Sequence, residues 1–174
     1  MVNIKSNLLW EILDYTIQII DDLVKITDFY IDQKKADYQY PVGGHIRHLI
    51  DHYNSLLKST DGTVNYDLRE RDVEIEKYPQ KAQKSLKDLI PFIEQIKCQD
   101  LNRPLLICAS AGKAGNFEFK AQSSFAREML FLNSHTVHHF AMIKSHCVSL
   151  GMQLDENFGV APSTVAYKNT QLKE

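Results

Sequence analysis

The sequence has few cysteines, no long apolar run and almost no net charge, and each of these shortages excludes a class of protein. Its three cysteines are widely spaced and form no CxxC pair, so we do not expect a disulfide framework. No stretch of about 18 apolar residues is present, which excludes a membrane-spanning helix. A net charge of −2 provides no basic field that would make nucleic acid the main partner.

The first residues also lack the basic stretch followed by an apolar stretch that marks a signal peptide. From this pattern and the cysteine usage we expect a cytoplasmic protein that does not associate with membranes. The chain has 174 residues, of which 44% are hydrophobic, an ordinary composition for a globular protein. This length favours one domain, which we expect to span residues 1–174.

Apolar side chains recur at helical spacing in four long segments. These predicted helices cover residues 4–35, 43–59, 79–97 and 124–150. Between the last two, residues 104–122 form two strand-like runs around a glycine-containing turn, which predicts a small β-hairpin. Residues 152–174 are expected to be an irregular carboxyl-terminal tail. The sequence therefore predicts an all-α fold, a four-helix bundle with a small β-hairpin insertion before the last long helix.

Seven histidines form two clusters, on the second and fourth predicted helices. They are His45, His48 and His52, and then His135, His138, His139 and His146. His135 and His139 are four residues apart, so their rings lie one above the other on a helix and can reach one metal ion. An imidazole from a facing helix would complete a three-histidine site with open coordination positions, as in catalytic metal sites.

The sequence leaves two alternatives open at this site. On a helical wheel His45 points closer to the apolar face than His48 does, so either one can be the ligand from the second helix. The histidines can also lack a metal altogether, because imidazoles at a helix seam can hydrogen-bond one another and backbone groups.

Both histidine motifs resemble those of the DinB-like (YfiT-like) superfamily. The run GHIRHLIDH at residues 44–52 is similar to its second-helix motif, and HTVHHFAMI at residues 135–143 is similar to its fourth-helix motif. The resemblance covers residues 4–150. It implies a four-helix bundle in up-down-down-up order, often a homodimer, with a divalent metal ion on three histidines.

The resemblance also implies which histidines hold the metal. By position in the motifs, the ligands would be His48, His135 and His139, and His138 matches a position that is not a ligand. Three further histidines would orient these ligands or replace one of them. They are His45, His52 and His146. The metal would be zinc, nickel or iron, since three nitrogen ligands do not choose among these ions.

The function implied by the resemblance is a metal-dependent enzyme that activates a thiol or water. It would be a transferase or isomerase that uses a low-molecular-weight thiol, or a hydrolase, and would act on a small-molecule substrate. The alternative is a non-enzymatic binding or stress- and damage-response protein, in which the metal is structural or absent. Because fold does not determine function, both remain expectations.

Four other features near the histidines have candidate roles. Asp51 and Glu128 can be general bases or can support the ligands, although solvated or capping carboxylates are commoner. Cys147 is interpreted as a buried, inert thiol. The run at residues 67–72 can place guanidinium groups over the mouth of the site, but such mixed charges are more often a solvated connector.

Overall fold

The computed structural model describes residues 4–33 and 36–171, without the side chains of residues 4–9 and 98. The helices are α1 Ile4–Asp32, α2 Gly44–Leu57, α3 Val73–Lys77, α4 Pro79–Glu94, α5 Phe125–Ser149 and α6 Pro162–Gln171. The strands are β1 Thr63–Asn65, β2 Pro104–Ala111 and β3 Phe117–Ser124. A π-helical turn, Gln39–Gly43, leads into α2, and a 3₁₀ turn, Cys98–Asn102, precedes β2.

The prediction of an all-α four-helix bundle with a hairpin insertion is wrong. The described residues form six helices and a three-stranded mixed sheet, in which β1 is parallel and β3 antiparallel to β2. Strand β1 has three residues, too few to show a strand periodicity in the sequence. It forms because β2 offers it a hydrogen-bonding edge.

The tail at residues 152–174 was also expected to be irregular, but it contains helix α6. This helix begins at Pro162, a residue that is favoured at the first helical position because its φ angle already suits a helix. Residues 172–174 of the tail, and residues 34 and 35 of the predicted first helix, lie outside the described residues.

The long helices pack around one apolar core. Helix α1 packs against α4 and α5, and α2 packs against the same two helices. The most deeply buried large side chains include Ile20, Leu23, Ile26, Ile46, Leu49, Leu56, Leu86, Leu89 and Ile93. Helix α4 continues through Pro91. No helix in the described part of the chain is both long and apolar enough to cross a membrane.

A buried polar network crosses this core and joins three helices. The Tyr53 hydroxyl of α2 donates to Asn133 Oδ1 of α5 over 3.0 Å, and Asn133 Nδ2 donates to Thr16 Oγ1 of α1 over 3.0 Å. All three side chains are buried, so each polar group depends on these partners. The network therefore fixes the register of α2 against α5.

The start of α2 lies very close to the backbone of α3. Gly43 is buried, and a Cβ atom added to it would overlap the carbonyl oxygen of Glu76 and lie 3.0 Å from Tyr38 Cε1. Arg47, one helical turn further along α2, contacts the side chain of the same residue, with its Nε 2.9 Å from Glu76 Oε2. The absence of a side chain at Gly43 therefore sets how closely α2 approaches α3.

We expect Gly43→Ala to lower the free energy of unfolding by about 2 kcal/mol, because the added methyl group must push two backbones apart. Gly44→Ala is the matched control. Gly44 has the same helical conformation, but the nearest atom to its added Cβ is Glu76 Cδ at 3.9 Å. This control should be neutral or slightly stabilising. Urea unfolding followed by circular dichroism measures both, and equal effects would contradict the close approach.

Candidate metal centre

Helices α2 and α5 direct four imidazole rings toward each other. His48 Nε2 lies 2.9 Å from His135 Nε2, and His139 Nε2 lies 3.2 Å from the same His135 nitrogen. His52 joins them, because the ligand nitrogens of His48, His52 and His135 all lie within 4.8 Å of one another. We call His48, His52, His135 and His139 the imidazole cluster.

The cluster arises from two pairs of histidines with the same spacing. His48 and His52 are four residues apart on α2, and His135 and His139 are four residues apart on α5. Such pairs lie on one face of a helix, about 5–6 Å apart at Cβ. Each member is buried or half-buried, because the two faces meet in the contact between α2 and α5.

A backbone carbonyl fixes the orientation of His52. Its Nδ1 lies 2.7 Å from the carbonyl oxygen of His48, and a carbonyl oxygen only accepts a hydrogen bond. Nδ1 therefore carries the proton, and Nε2 keeps its lone pair. Metal-binding histidines typically have such an acceptor behind the ring. The ring of Tyr66 also stacks on His52, with centroids 5.2 Å apart.

His45 supports His139 in a similar way. Their Nδ1 atoms lie 2.7 Å apart, so one nitrogen donates and the other accepts. When His139 donates, its Nε2 presents a lone pair toward His135, and His45 orients the ring. The structure thus places His45 behind His139 and not among the converging nitrogens, which are supplied on α2 by His48 and His52.

Arg69 approaches the cluster from the opposite side of His48. Its Nη2 lies 3.4 Å from His48 Nδ1, and its Nη1 donates to the backbone carbonyl of Tyr66. A guanidinium only donates, so this contact favours the His48 tautomer with its proton on Nε2. A metal bound to His48 Nε2 therefore requires the other neutral tautomer, in which the proton is on Nδ1 and the contact with Arg69 is given up. The hydrogen bond of His52, in contrast, already leaves its Nε2 free.

Burial keeps the cluster neutral. Desolvation, aided by neighbouring imidazoles and Arg69, lowers the pKa of His48 to about 3. Desolvation is also the main cause that lowers the pKa of His52 and of His139 to about 4 each. The pKa of His135 is lowered as well, again mainly by burial. At neutral pH the rings are therefore uncharged, which is the protonation state that a metal ligand needs.

Two of the seven histidines stand apart from the cluster. His138 is exposed, and its ring centroid lies 5.8 Å from that of His139. His146 is seven residues after His139 on α5, which places it about 10 Å further along the helix. Its buried Nε2 has no hydrogen-bond partner among the described residues. The structure does not bring His146 to the cluster.

The two candidate carboxylates are engaged by other groups. Asp51 Oδ2 lies 3.0 Å from Arg47 Nη1, and burial raises the pKa of Asp51 to about 6. Glu128 is buried and accepts hydrogen bonds from Tyr66 at 2.9 Å and Ser123 at 2.5 Å. Through Tyr66, Glu128 positions the ring that stacks on His52. Cys147 is buried, and burial raises the pKa of its thiol.

Sequence reasoning missed two aromatic residues that contact the cluster. Phe131 stacks on His135 with ring centroids 5.6 Å apart and planes 12° apart. It precedes His135 by four residues, so the helical spacing that linked the histidines also indicated this contact. Tyr66 had no such signal, because it follows the short strand β1 and reaches His52 only through the tertiary fold.

Comparisons with known proteins give one significant similarity. No known protein-family profile matches this chain, and no solved structure matches it. A curated protein of Rhizopus delemar named FK506-binding protein 5 is 33% identical over 117 residues. These residues cover 67% of this chain, and the chain spans only 30% of the length of that relative.

These comparisons overturn the resemblance drawn from the histidine motifs. The prediction of a DinB-like protein is wrong, since no such profile matches and the similarity found is to a protein of another name. The predicted function, a metal-dependent transferase, isomerase or hydrolase that activates a thiol or water, relied on this resemblance and is wrong as well. Short motifs with histidines four residues apart have many false positives. The positions of the imidazoles in the fold do not depend on that resemblance.

The metal-free protein should lose stability as the pH falls. Unfolded imidazoles have a pKa of about 6.5, whereas those of His48, His52 and His139 are about 3, 4 and 4 in the fold. Between these values the unfolded chain binds more protons, so acid favours unfolding. Asp51 opposes this between its ordinary pKa of 3.8 and about 6, but three imidazoles outweigh one carboxyl.

We expect the Tm of EDTA-treated protein to fall by roughly 5 °C between about pH 7.5 and pH 5.0. The Tm should depend less on pH in His48→Gln, which removes one buried imidazole. Its dependence on pH should stay unchanged in His138→Gln, which removes an exposed one. Differential scanning calorimetry measures these profiles. A Tm that does not change with pH would contradict the burial of neutral rings.

Proposed function

We propose that this protein binds a divalent transition-metal ion in the imidazole cluster. The ligands are His48, His52 and His135, with His139 beside them. The observation that carries the proposal is the convergence of three ligand nitrogens within 4.8 Å of one another. Imidazole nitrogens suit zinc, nickel and iron, and the proposal covers these three ions.

The spacing of the nitrogens supports an ion of this size. Zinc binds imidazole nitrogens at 2.0–2.1 Å, so two tetrahedral ligands lie ~3.3 Å apart. The nitrogen pairs His48–His135 and His135–His139 measure 2.9 and 3.2 Å. Both distances are close to that separation, and the ligand nitrogen of His52 lies within 4.8 Å of those of His48 and His135.

Hydrogen bonds among the rings account poorly for the same arrangement. His135 Nε2 faces both His48 Nε2 and His139 Nε2, yet a ring nitrogen holds either one proton or one lone pair. When one neighbour presents a proton and the other a lone pair, it can therefore satisfy only one of the two. Once His48 adopts the tautomer that frees its Nε2, a cation satisfies all of the lone pairs at once, which favours metal binding over a cluster held by hydrogen bonds alone.

Loss of the central ring should abolish tight binding. We expect the wild-type protein to bind one equivalent of zinc, and His135→Ala to weaken binding at least roughly 100-fold, since even removal of a group that only supports a ligand costs 10–100-fold. His138→Ala, an exposed histidine on the same helix, is the matched control and should bind as the wild type does. Isothermal titration calorimetry and elemental analysis of tag-free protein measure both. Wild-type protein that takes up neither zinc, nickel nor iron would overturn the proposal.

Two further variants decide between ligand sets. The nitrogen distances give the set His48, His52 and His135. The histidine motifs instead imply His139 in place of His52. If His52 is a ligand and His139 lies beside the ion, His52→Ala should weaken zinc binding more than His139→Ala does. The reverse order would restore the set His48, His135 and His139 and would keep the metal proposal.

A second candidate function comes from the name of the Rhizopus delemar relative, which describes binding of FK506. Three grooves of the described residues have volumes of about 330, 360 and 240 Å³. These lie near or below the small end of the range for drug-sized ligands, so we rank this function second. Titration with FK506 decides it: saturable binding supports it, and a flat titration excludes it.

We also place the protein in the cytoplasm as part of this proposal. The thiols of Cys108 and Cys147 are both free and buried, which suits a reducing compartment. Imaging of a fluorescent fusion in the source cells tests this placement, and a secreted fusion would contradict it.

A further inference from the structure

Strand β3 forms an open edge of the sheet. The strand order is β1-β2-β3, so β3 has a strand on one side only within the described part of the chain. It is eight residues long, contains no proline, and is exposed over residues 117–120. A long, exposed edge strand of this kind can pair with a strand of another chain.

The hydrogen bonds of β2 show which residues of β3 face this open edge. The backbone N–H of Leu106 donates to Gly62, and that of Ser110 donates to Asp67, so both point away from β3. Their partners across the ladder are Gln122 and Glu118. Because backbone direction alternates along a strand, Glu118, Lys120 and Gln122 direct their N–H and C=O groups toward the open edge.

The side chains of β3 divide into an aromatic face and a charged face. Phe117 and Phe119 lie on one face and are 64% and 58% exposed. Glu118 and Lys120 lie on the other face, with Lys120 Nζ 3.2 Å from Glu118 Oε2. Two exposed phenylalanines side by side on an open edge indicate a surface that another protein covers.

We propose that β3 pairs antiparallel with β3 of a second copy of this chain, about a two-fold axis at Phe119. In this register Glu118 lies opposite Lys120 of the partner subunit, and symmetry repeats the pair on the other side of the axis. Phe119 lies opposite its own counterpart. The backbone groups of Glu118 and Lys120 that face the open edge then bond directly to the second copy.

The charge pattern supports this register over its neighbours. The backbone groups that face the open edge belong to alternate residues, so the two strands can slide past each other only in steps of two residues. Each such step moves the two-fold axis by one residue. An axis at Lys120 places two lysines opposite each other, and an axis at Glu118 places two glutamates opposite each other. Like charges directly opposite are destabilising in a sheet. Of these three registers, the one centred on Phe119 alone joins opposite charges, and this self-complementarity favours a second copy as the partner.

Charge reversal tests the register. Sedimentation equilibrium should show that the wild-type protein dimerises. Glu118→Lys and Lys120→Glu should each weaken the dimer at least roughly tenfold, because each places like charges opposite each other twice. The double variant, Glu118→Lys with Lys120→Glu, restores both pairs and should dimerise as the wild type does.

Lys113→Glu, in the exposed turn of the same hairpin, is the control for a change in net charge and should leave the dimer unchanged. Circular dichroism checks that each variant is folded. We expect all of them to fold, since exposed ion pairs contribute little to stability. Sedimentation is repeated in EDTA, which removes any bound metal, so that the result does not depend on the metal proposal. Three results would each overturn the inference: a monomeric wild type at high micromolar concentration, single variants that dimerise normally, or a double variant that stays monomeric.

Discussion

The hydrogen bonds among Tyr53, Asn133 and Thr16 are the constraint on which the rest of the site depends. Tyr53 follows His52 directly, and Asn133 lies two residues before His135. A shift of α2 by one helical turn along α5 would separate these partners by about 5.4 Å. Each polar group left buried and unpaired costs about 1–3 kcal/mol. The core network therefore holds the two histidine pairs opposite each other.

Groups that do not converge on His135 Nε2 hold the rings of the imidazole cluster in their orientations. The carbonyl of His48 orients His52, His45 orients His139, and the rings of Tyr66 and Phe131 stack on His52 and His135. Such support holds a ligand in place before the ion arrives. Burial adds to this by keeping the rings neutral, so that protons compete weakly with a cation.

The histidine motifs supported two inferences of different strength. The claim that two histidines four residues apart share a helix face is geometric, and it holds on any amphipathic helix. The claim of family membership relied on short runs of sequence, and the comparisons contradict it. Only the geometric claim leads to the proposed metal site, because the convergence of the rings is a property of this fold.

The sequence by itself determined the features that depend on local periodicity. The apolar spacing of Ile46, Leu49 and Tyr53 encodes the buried face of α2, and the glycine turn encodes the hairpin of β2 and β3. Only the tertiary structure decided that β1 joins β2, that Tyr66 stacks on His52, and which nitrogen of each ring points inward. Apart from the hydrogen bond of His52 to the carbonyl of His48, these contacts join residues far apart in the chain. They depend on how whole helices pack, which no local spacing specifies.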